Sequence, residues 1–191
     1  MNLFPQRKAF GKQGQDILIN FLERHFGYKF EAGERYNSIL NVDMIEELEH
    51  CEFVPPNVAS GLGARLKFTR DNKEYLLTMP DVLMSRNSSN GFYWVEAKRH
   101  TKHYMTLVIN KNNFLDYKTL YERFTRQEFY VMCLNPNEDE SSCDVYFCEF
   151  GVLLENKGRE ENIRGNDVVT WDIKSTMEKL NKYPINILKY E

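Results

Sequence analysis

The sequence has few of the features that mark secreted, metal-stabilised or membrane proteins. It contains four cysteines in 191 residues and no Cys-x-x-Cys pair, which makes a structural zinc site or a disulfide framework a poor expectation. We therefore expect reduced, buried thiols and an intracellular protein, cytoplasmic or, in a eukaryotic or viral source, nuclear. No apolar run approaches the roughly 18 residues of a membrane span, and residues 1–16 lack the apolar core of a secretory signal. We expect no membrane partner.

The composition otherwise predicts an ordinary folded protein. Hydrophobic residues make up 42% and aromatic residues 14% of the chain, which is too much for a disordered polypeptide. The length fits a single domain with a sizeable core. We expect one domain over residues 1–191, with a core at about residues 10–135 and C-terminal strands and a helix, at about 136–191, appended to it.

The charges are unevenly distributed along the chain, although the net charge is only −3. Residues 98–126 contain seven Lys or Arg against two acidic residues, and residues 138–161 contain eight acidic against two basic residues. A basic stripe within an acidic protein is typical of a phosphate-binding surface. Two solvated faces would give the same pattern.

The hydrophobic periodicity predicts an α+β protein with a mixed sheet flanked by helices. Helical patterns cover residues 12–26, 41–50, 112–125 and 175–183. Strand patterns cover residues 65–69, 74–79, 92–98, 128–134, 144–150 and 168–173, with an extended segment at 80–84. Residues 85–91 contain an Asn-Gly pair and predict a hairpin loop.

Three charged residues stand out around this hairpin. Asp81 follows Pro80 at the start of one predicted strand, and Glu96 and Lys98 lie on the next. Alternation along a strand places Glu96 and Lys98 on one face, and the hairpin can bring Asp81 opposite Glu96. Two adjacent carboxylates favour a cation between them, and oxygen ligands suit Mg²⁺ bound together with a phosphate. A surface ion pair on an edge strand is the alternative.

With Pro80, Asp81, Glu96 and Lys98 in this order, the sequence resembles the PD-(D/E)xK nuclease superfamily, and in particular RecB-like and Holliday-junction-resolvase-like members. The resemblance covers about residues 10–135 and implies a restriction-endonuclease-like fold. Such nucleases often carry an acidic residue on the first helix, before a Gly-aromatic stop. Asp16 matches that position ahead of Gly27-Tyr28, although Glu is commoner there, and Glu23 is the alternative.

The resemblance also implies roles for these residues. Asp81, Glu96 and the backbone carbonyl of Ala97 would hold Mg²⁺, for which Mn²⁺ can substitute. Lys98 would position or activate the attacking water, and Asp16 would add charge to the metal site. The segment after the motif would contact the nucleic-acid backbone through its basic and polar residues, which are Arg99, Lys102, Lys111, Tyr117 and Lys118.

The sequence therefore predicts a metal-dependent nuclease that hydrolyses phosphodiester bonds, most simply in DNA, as a homodimer or as a subunit of a larger DNA-processing complex. Three alternatives stay open. The chain could be a catalytically inactive member of the fold that binds nucleic acid or protein. It could be an RNA endonuclease, with His25 as an additional metal ligand. It could also be an interaction protein whose acidic segment binds a basic partner.

Overall fold

The computed structural model describes residues 28–29, 50–54, 64–86, 92–100, 102–124, 128–137 and 143–185. Within these ranges the chain forms twelve strands and three helices. The predicted helices over residues 12–26 and 41–50 lie outside the described residues, apart from His50. Asp16, Glu23 and His25 lie outside them as well.

The largest sheet has six strands in the order β1-β5-β6-β8-β9-β12. Only the central pair β6–β8 is parallel, and the other pairs are antiparallel. The α+β class with a mixed central sheet flanked by helices is thus confirmed. The strands span β1 (Tyr28–Lys29), β5 (Val82–Arg86), β6 (Phe92–Arg99), β8 (Glu128–Pro136), β9 (Cys143–Glu149) and β12 (Glu178–Ile185).

Two antiparallel sheets of three strands accompany it. One consists of β2 (Cys51–Val54), β3 (Arg65–Arg70) and β4 (Lys73–Thr78), and the other has the order β10-β11-β7, with β10 (Arg159–Ile163), β11 (Asn166–Asp172) and β7 (Thr106–Asn110). Asp71 and Asn72 connect β3 to β4 with φ angles of 50° and 61°. Asn and Asp tolerate this left-handed conformation, which a two-residue hairpin turn of matching twist requires.

The long helix α1 (Lys111–Arg123) lies in the connection between the parallel strands β6 and β8. It begins where the side chain of Asn110 accepts a hydrogen bond from Asn112 N at 2.9 Å, which satisfies one of the free amides of the first turn. Tyr117 and Leu120 form its buried face. The ring of Tyr117 packs edge-on against Phe129 of β8 at 5.5 Å, so α1 covers one face of the central sheet.

One hydrophobic cluster joins all three sheets and the helices. Phe129 of β8 stacks on Phe150 at 4.6 Å, and Phe150 begins the short helix α2 (Phe150–Glu155). Trp171 of β11 donates from its indole nitrogen to the carbonyl oxygen of Leu153 at 3.1 Å. Leu66 of β3 belongs to the same cluster. The other face of the central sheet is buried too, at Val95, Met132, Leu134 and Val145.

The C-terminal region differs from the prediction. The helix predicted over residues 175–183 is wrong: helix α3 spans only Ile173–Thr176, and the chain then pairs with β9 as strand β12. Pairing to an open sheet edge outweighs the helical preference of single residues such as Glu178, Lys179 and Leu180. The predicted strand over 144–150 ends one residue early, because Phe150 starts α2. Strands β1, β2, β7 and β10 were not predicted as strands either.

The four cysteines are free thiols, as predicted, and three of them are buried. Burial raises the pKa of Cys133 to about 12, against a weaker opposing effect of the Lys98 charge. The longest helix within the described ranges has 13 residues, which is too short to span a membrane.

Candidate functional site

The hairpin β5–β6 brings Asp81 beside Glu96, as the sequence predicts. Val82 pairs with Val95 in the antiparallel register. Asp81 and Glu96 are therefore opposite each other at the next position along the two strands. The backbone confirms this placement: Ala97 N donates a hydrogen bond to Asp81 Oδ2 at 3.0 Å. The backbone of Ala97 and the two carboxylates thus meet at one end of the hairpin.

Glu96 and Lys98 lie on the same face of β6, as the alternation of a strand requires. Lys98 Nζ forms an ion pair with Glu96 Oε1, and the Glu96 side chain is only 2% exposed against 28% for Lys98. The hydroxyl of Tyr117 donates to the second oxygen, Glu96 Oε2, at 2.8 Å. Both carboxylate oxygens of Glu96 are therefore held, one by a cation and one by a buried hydroxyl, which offsets the cost of burying the charge.

The electrostatics of the site reflect two crowded carboxylates. Burial, followed by repulsion from Glu96, raises the pKa of Asp81 to about 7, although Lys98 and the Ala97 amide act in the opposite direction. For Lys98, burial lowers the pKa, but attraction by Glu96 and then Asp81 outweighs it, so the pKa lies above its ordinary value. Burial and Glu96 thus oppose ionisation of the Asp81 carboxyl, whereas the charged form of Lys98 is favoured.

This donor set fits a hard divalent cation. Two carboxylates that lie side by side gain from a cation between them, and Mg²⁺ is commonly held by one or two carboxylates together with substrate phosphates. No group of three or more His, Cys, Asp or Glu side chains that could hold a metal occurs within the described ranges. Asp16, the predicted third acidic residue, lies outside them.

Two consecutive residues of helix α1 contact the strands that carry or precede Glu96 and Asp81. Tyr117 holds Glu96, and Asp116 Oδ2 accepts a hydrogen bond from the backbone amide of Thr78 at 2.9 Å. Thr78 ends β4 and lies three residues before Asp81. Asp116 was not predicted as a site residue, and Tyr117 was predicted to lie at the nucleic-acid surface.

The Tyr117 prediction is wrong, because the side chain is 2% exposed and faces Glu96 rather than solvent. A signal for this was present in the sequence. Phe114, Tyr117, Leu120 and Phe124 recur at helical spacing, and this pattern places Tyr117 on the buried face of the helix. Its hydroxyl is the polar group that such a buried ring must satisfy.

The structure places the four basic residues predicted to contact the nucleic-acid backbone in different surroundings. Arg99 follows Lys98 directly on β6 and therefore lies on the opposite face of the sheet. Lys111 pairs with Glu160 at 2.5 Å, and Lys118 lies 3.8 Å from Glu122 one turn away. Lys102 is exposed and follows the end of β6.

A histidine and a cysteine also lie close together beside Lys98. His100 Nε2 is 3.8 Å from Cys133 Sγ, a pairing that elsewhere serves nucleophilic catalysis. Cys133 is fully buried, and burial raises its pKa to about 12. Because the thiolate is the nucleophile, this pair does not supply one at neutral pH.

Comparisons with known proteins add little to this geometry. No protein family model matches the chain, and no curated protein matches it. A solved structure to which the chain is similar is that of Hjc, a Holliday junction resolvase from the archaeal hyperthermophile Archaeoglobus fulgidus. The match has 14% sequence identity and a TM-score of 0.36, and it covers 53% of this chain and 70% of that chain. At that similarity, a functional assignment depends on the site's own residues.

Proposed function

We propose that this protein is a metal-dependent nuclease that hydrolyses phosphodiester bonds, with DNA as its substrate class. The observation that carries the proposal is the cluster of Asp81, Glu96 and Lys98 at one end of the β5–β6 hairpin. Ala97 N at 3.0 Å from Asp81 Oδ2, together with the ion pair of Lys98 and Glu96, fixes the arrangement.

Each residue has a role in this proposal. Asp81 and Glu96 would hold Mg²⁺, or Mn²⁺ in its place, with the carbonyl oxygen of Ala97 as a further ligand. When bound, the ion supplies polarisation of the phosphoryl group and acidification of water. Lys98 donates hydrogen bonds to the attacking water or to a phosphoryl oxygen and offsets the negative charge that develops there. Tyr117 holds the Glu96 carboxylate in place and does not touch the substrate.

The charge along the chain supports a polyanionic substrate. From Ala97 to Leu115 the sequence contains no acidic residue and four basic ones, Lys98, Arg99, Lys102 and Lys111. This stretch directly follows the Asp81, Glu96 and Lys98 cluster in the sequence, and it contributes only positive formal charge, which favours a polyanion.

Cleavage assays test the proposal. The purified chain is incubated with labelled single-stranded, duplex and branched DNA, and with RNA, in the presence of Mg²⁺, Mn²⁺ or EDTA. Lys98→Ala is compared with Lys67→Ala, which removes a partly exposed lysine that pairs with Glu74 at 3.1 Å in another sheet. We expect metal-dependent cleavage of DNA by the wild type and by Lys67→Ala, and its loss in Lys98→Ala.

Folding must be verified for each variant by circular dichroism, because Lys98→Ala leaves a buried Glu96 without its cation. Absence of cleavage of every substrate by folded wild-type protein in either metal would overturn the proposal. Equal cleavage by Lys98→Ala and wild type would overturn the role of Lys98. Cleavage of RNA but not of DNA would replace the substrate class.

A further inference from the structure

The chain leaves the proposed site through a short loop that presents an aromatic ring to solvent. The loop follows β6 and contains His100, Lys102, His103, Tyr104 and Met105. Tyr104 is 51% exposed, the largest value among the exposed large hydrophobic residues of the described chain. An isolated exposed aromatic residue is common on protein surfaces. What distinguishes this one is how firmly its backbone is held.

A buried asparagine holds the loop in place. Asn135, near the end of β8, is 1% exposed, and its side-chain oxygen accepts a hydrogen bond from Tyr104 N at 3.0 Å. Its side-chain nitrogen donates to Met105 Sδ at 3.1 Å. The loop is fixed at both ends as well, by His100 N to the oxygen of Leu134 and by Ile173 N to the oxygen of Met105, each at 2.9 Å.

The same loop connects Tyr104 to the proposed site by direct contacts. Lys98 and Cys133 are register partners on neighbouring strands, which lie about 4.8 Å apart. Cys133 Sγ is 3.8 Å from His100 Nε2, and the His100 ring meets the Tyr104 ring edge-on at 5.6 Å. Cys133 and His100 therefore connect Lys98 to Tyr104. A nucleotide next to the phosphodiester bond at the proposed site could reach the Tyr104 ring.

We infer that Tyr104 is a stacking platform for an unpaired nucleobase of the substrate, so that the site takes nucleic acid with single-stranded or frayed segments. This inference rests on the proposed function. A ring on an anchored backbone loses little conformational freedom when a base stacks on it. Lys102, which is exposed, lies two residues before the ring and can face an adjoining phosphate, whereas Nδ1 of His103 lies 3.0 Å from the oxygen of Pro136. Bases within a duplex already stack on one another, so Tyr104 discriminates against fully paired substrates.

Binding measurements in EDTA, where no metal-dependent cleavage occurs, test this inference. The probes are a fluorescein-labelled single-stranded oligodeoxynucleotide, the same strand with abasic residues throughout, and a blunt duplex. The proteins are wild type, Tyr104→Ala, Tyr104→Phe and, as a control, Leu76→Ala, which removes another exposed apolar side chain (44%) from β4. Anisotropy gives the dissociation constants.

Stacking on an aromatic side chain predicts a loss of about 5- to 150-fold in affinity for the single strand in Tyr104→Ala. Tyr104→Phe and Leu76→Ala should bind within about twofold of the wild type, since stacking depends on the ring and not on the hydroxyl. The abasic strand should bind wild type and Tyr104→Ala equally, and the duplex should do the same.

Two results would overturn the inference. One is equal binding of the single strand by wild type and Tyr104→Ala. The other is an equal loss on the abasic strand, which would mean that Tyr104 acts through the loop or contacts something other than a base. Metal-dependent cleavage by the wild type is scored separately. If cleavage persists while Tyr104→Ala binds normally, only this inference fails; if Tyr104 mediates binding but nothing is cut, only the proposed catalysis fails.

Discussion

Asp81 is the residue at which function and stability conflict most clearly. Its pKa of about 7, raised by burial and by Glu96, means that folded protein binds a proton between about pH 4 and pH 7 that unfolded protein has already lost. Stability from this group therefore falls as the pH rises through that window. The ionised Asp81 carboxylate thus costs folding stability near neutral pH. Such a cost is expected where a carboxylate is placed to bind a cation.

Replacing Asp81 by Asn should stabilise the metal-free protein above neutral pH. In EDTA at about pH 8 we expect the free energy of unfolding of Asp81→Asn to exceed that of the wild type by on the order of 2 kcal/mol. Urea titration measures the difference. The difference should shrink as the pH falls and nearly vanish at about pH 4, where the unfolded chain also begins to hold this proton. Asp71→Asn, in the exposed turn between β3 and β4, is the control and should show no such dependence. A wild type more stable than Asp81→Asn at both pH values would contradict this account.

The sequence was sufficient to place Asp81, Glu96 and Lys98 together, because strand alternation and one hairpin determine their relative positions. It was insufficient for Tyr117 and Asp116. Their contacts, to Glu96 and to the Thr78 amide, span 21 and 38 residues. Such contacts depend on how α1 lies across the sheet, and a local pattern indicates which helix face is buried but not which strand residue it meets.

At the scale of the element, α1 is the part that orients the site. The hydrogen bond from Tyr117 to Glu96 predicts that Tyr117→Phe weakens metal binding by about tenfold, the lower end of what loss of a group supporting a metal ligand causes. Mn²⁺ titration followed by electron paramagnetic resonance measures this without any activity. Tyr121→Phe, one turn further along the helix, is the matched control, and an equal change in both variants would contradict the positioning role.

Asp116 links α1 to the strand that leads into the site. Asp116→Ala removes the acceptor of the Thr78 amide, a bond of 2.9 Å, and should lower the free energy of unfolding by about 1–3 kcal/mol. Hydrogen exchange is the sharper test: the Thr78 amide should lose protection, relative to the wild type, by more than its neighbours in β4. Unchanged protection at Thr78 would show that another acceptor replaces Asp116.

The elements that the sequence predicted are those whose pattern is local. Strands β3, β4, β6, β8 and β9 alternate or are rich in aromatic and branched residues, and α1 has an apolar stripe. Strand β10 carries Arg-Glu-Glu-Asn-Ile and is exposed throughout, so it has no hydrophobic alternation to detect. Strand β12 contains Pro184, which suits its place at a sheet edge, but its pairing partner β9 lies about 30 residues earlier and is invisible to a local pattern.

At the scale of the whole molecule, the shared core predicts a single cooperative unfolding transition. The two tryptophans report separate sheets, since Trp94 lies on β6 and Trp171 on β11, and both belong to one buried cluster. Trp94→Phe leaves the β11 reporter, and Trp171→Phe leaves the β6 reporter. In each variant, the urea midpoint from fluorescence should coincide with that from far-ultraviolet circular dichroism.

Different midpoints for the two signals within one variant would mean that the sheets unfold separately. That result would contradict the expectation of one domain over the whole chain, and it would agree with a C-terminal part that is appended to the core. The two midpoints are compared within one variant, because the two tryptophan substitutions can change the free energy of unfolding by different amounts.

The open edge at β10 also bears on how copies of this protein meet. In the part of the chain that the structure describes, β10 has a neighbouring strand on one side only. If two copies joined these edges antiparallel about the middle of the strand, Glu161 would face Glu161, and like charges directly opposite one another destabilise a sheet. Charged edges of this kind suppress the growth of continuous sheets between molecules. A homodimer of this chain should therefore assemble through another surface and leave β10 in water.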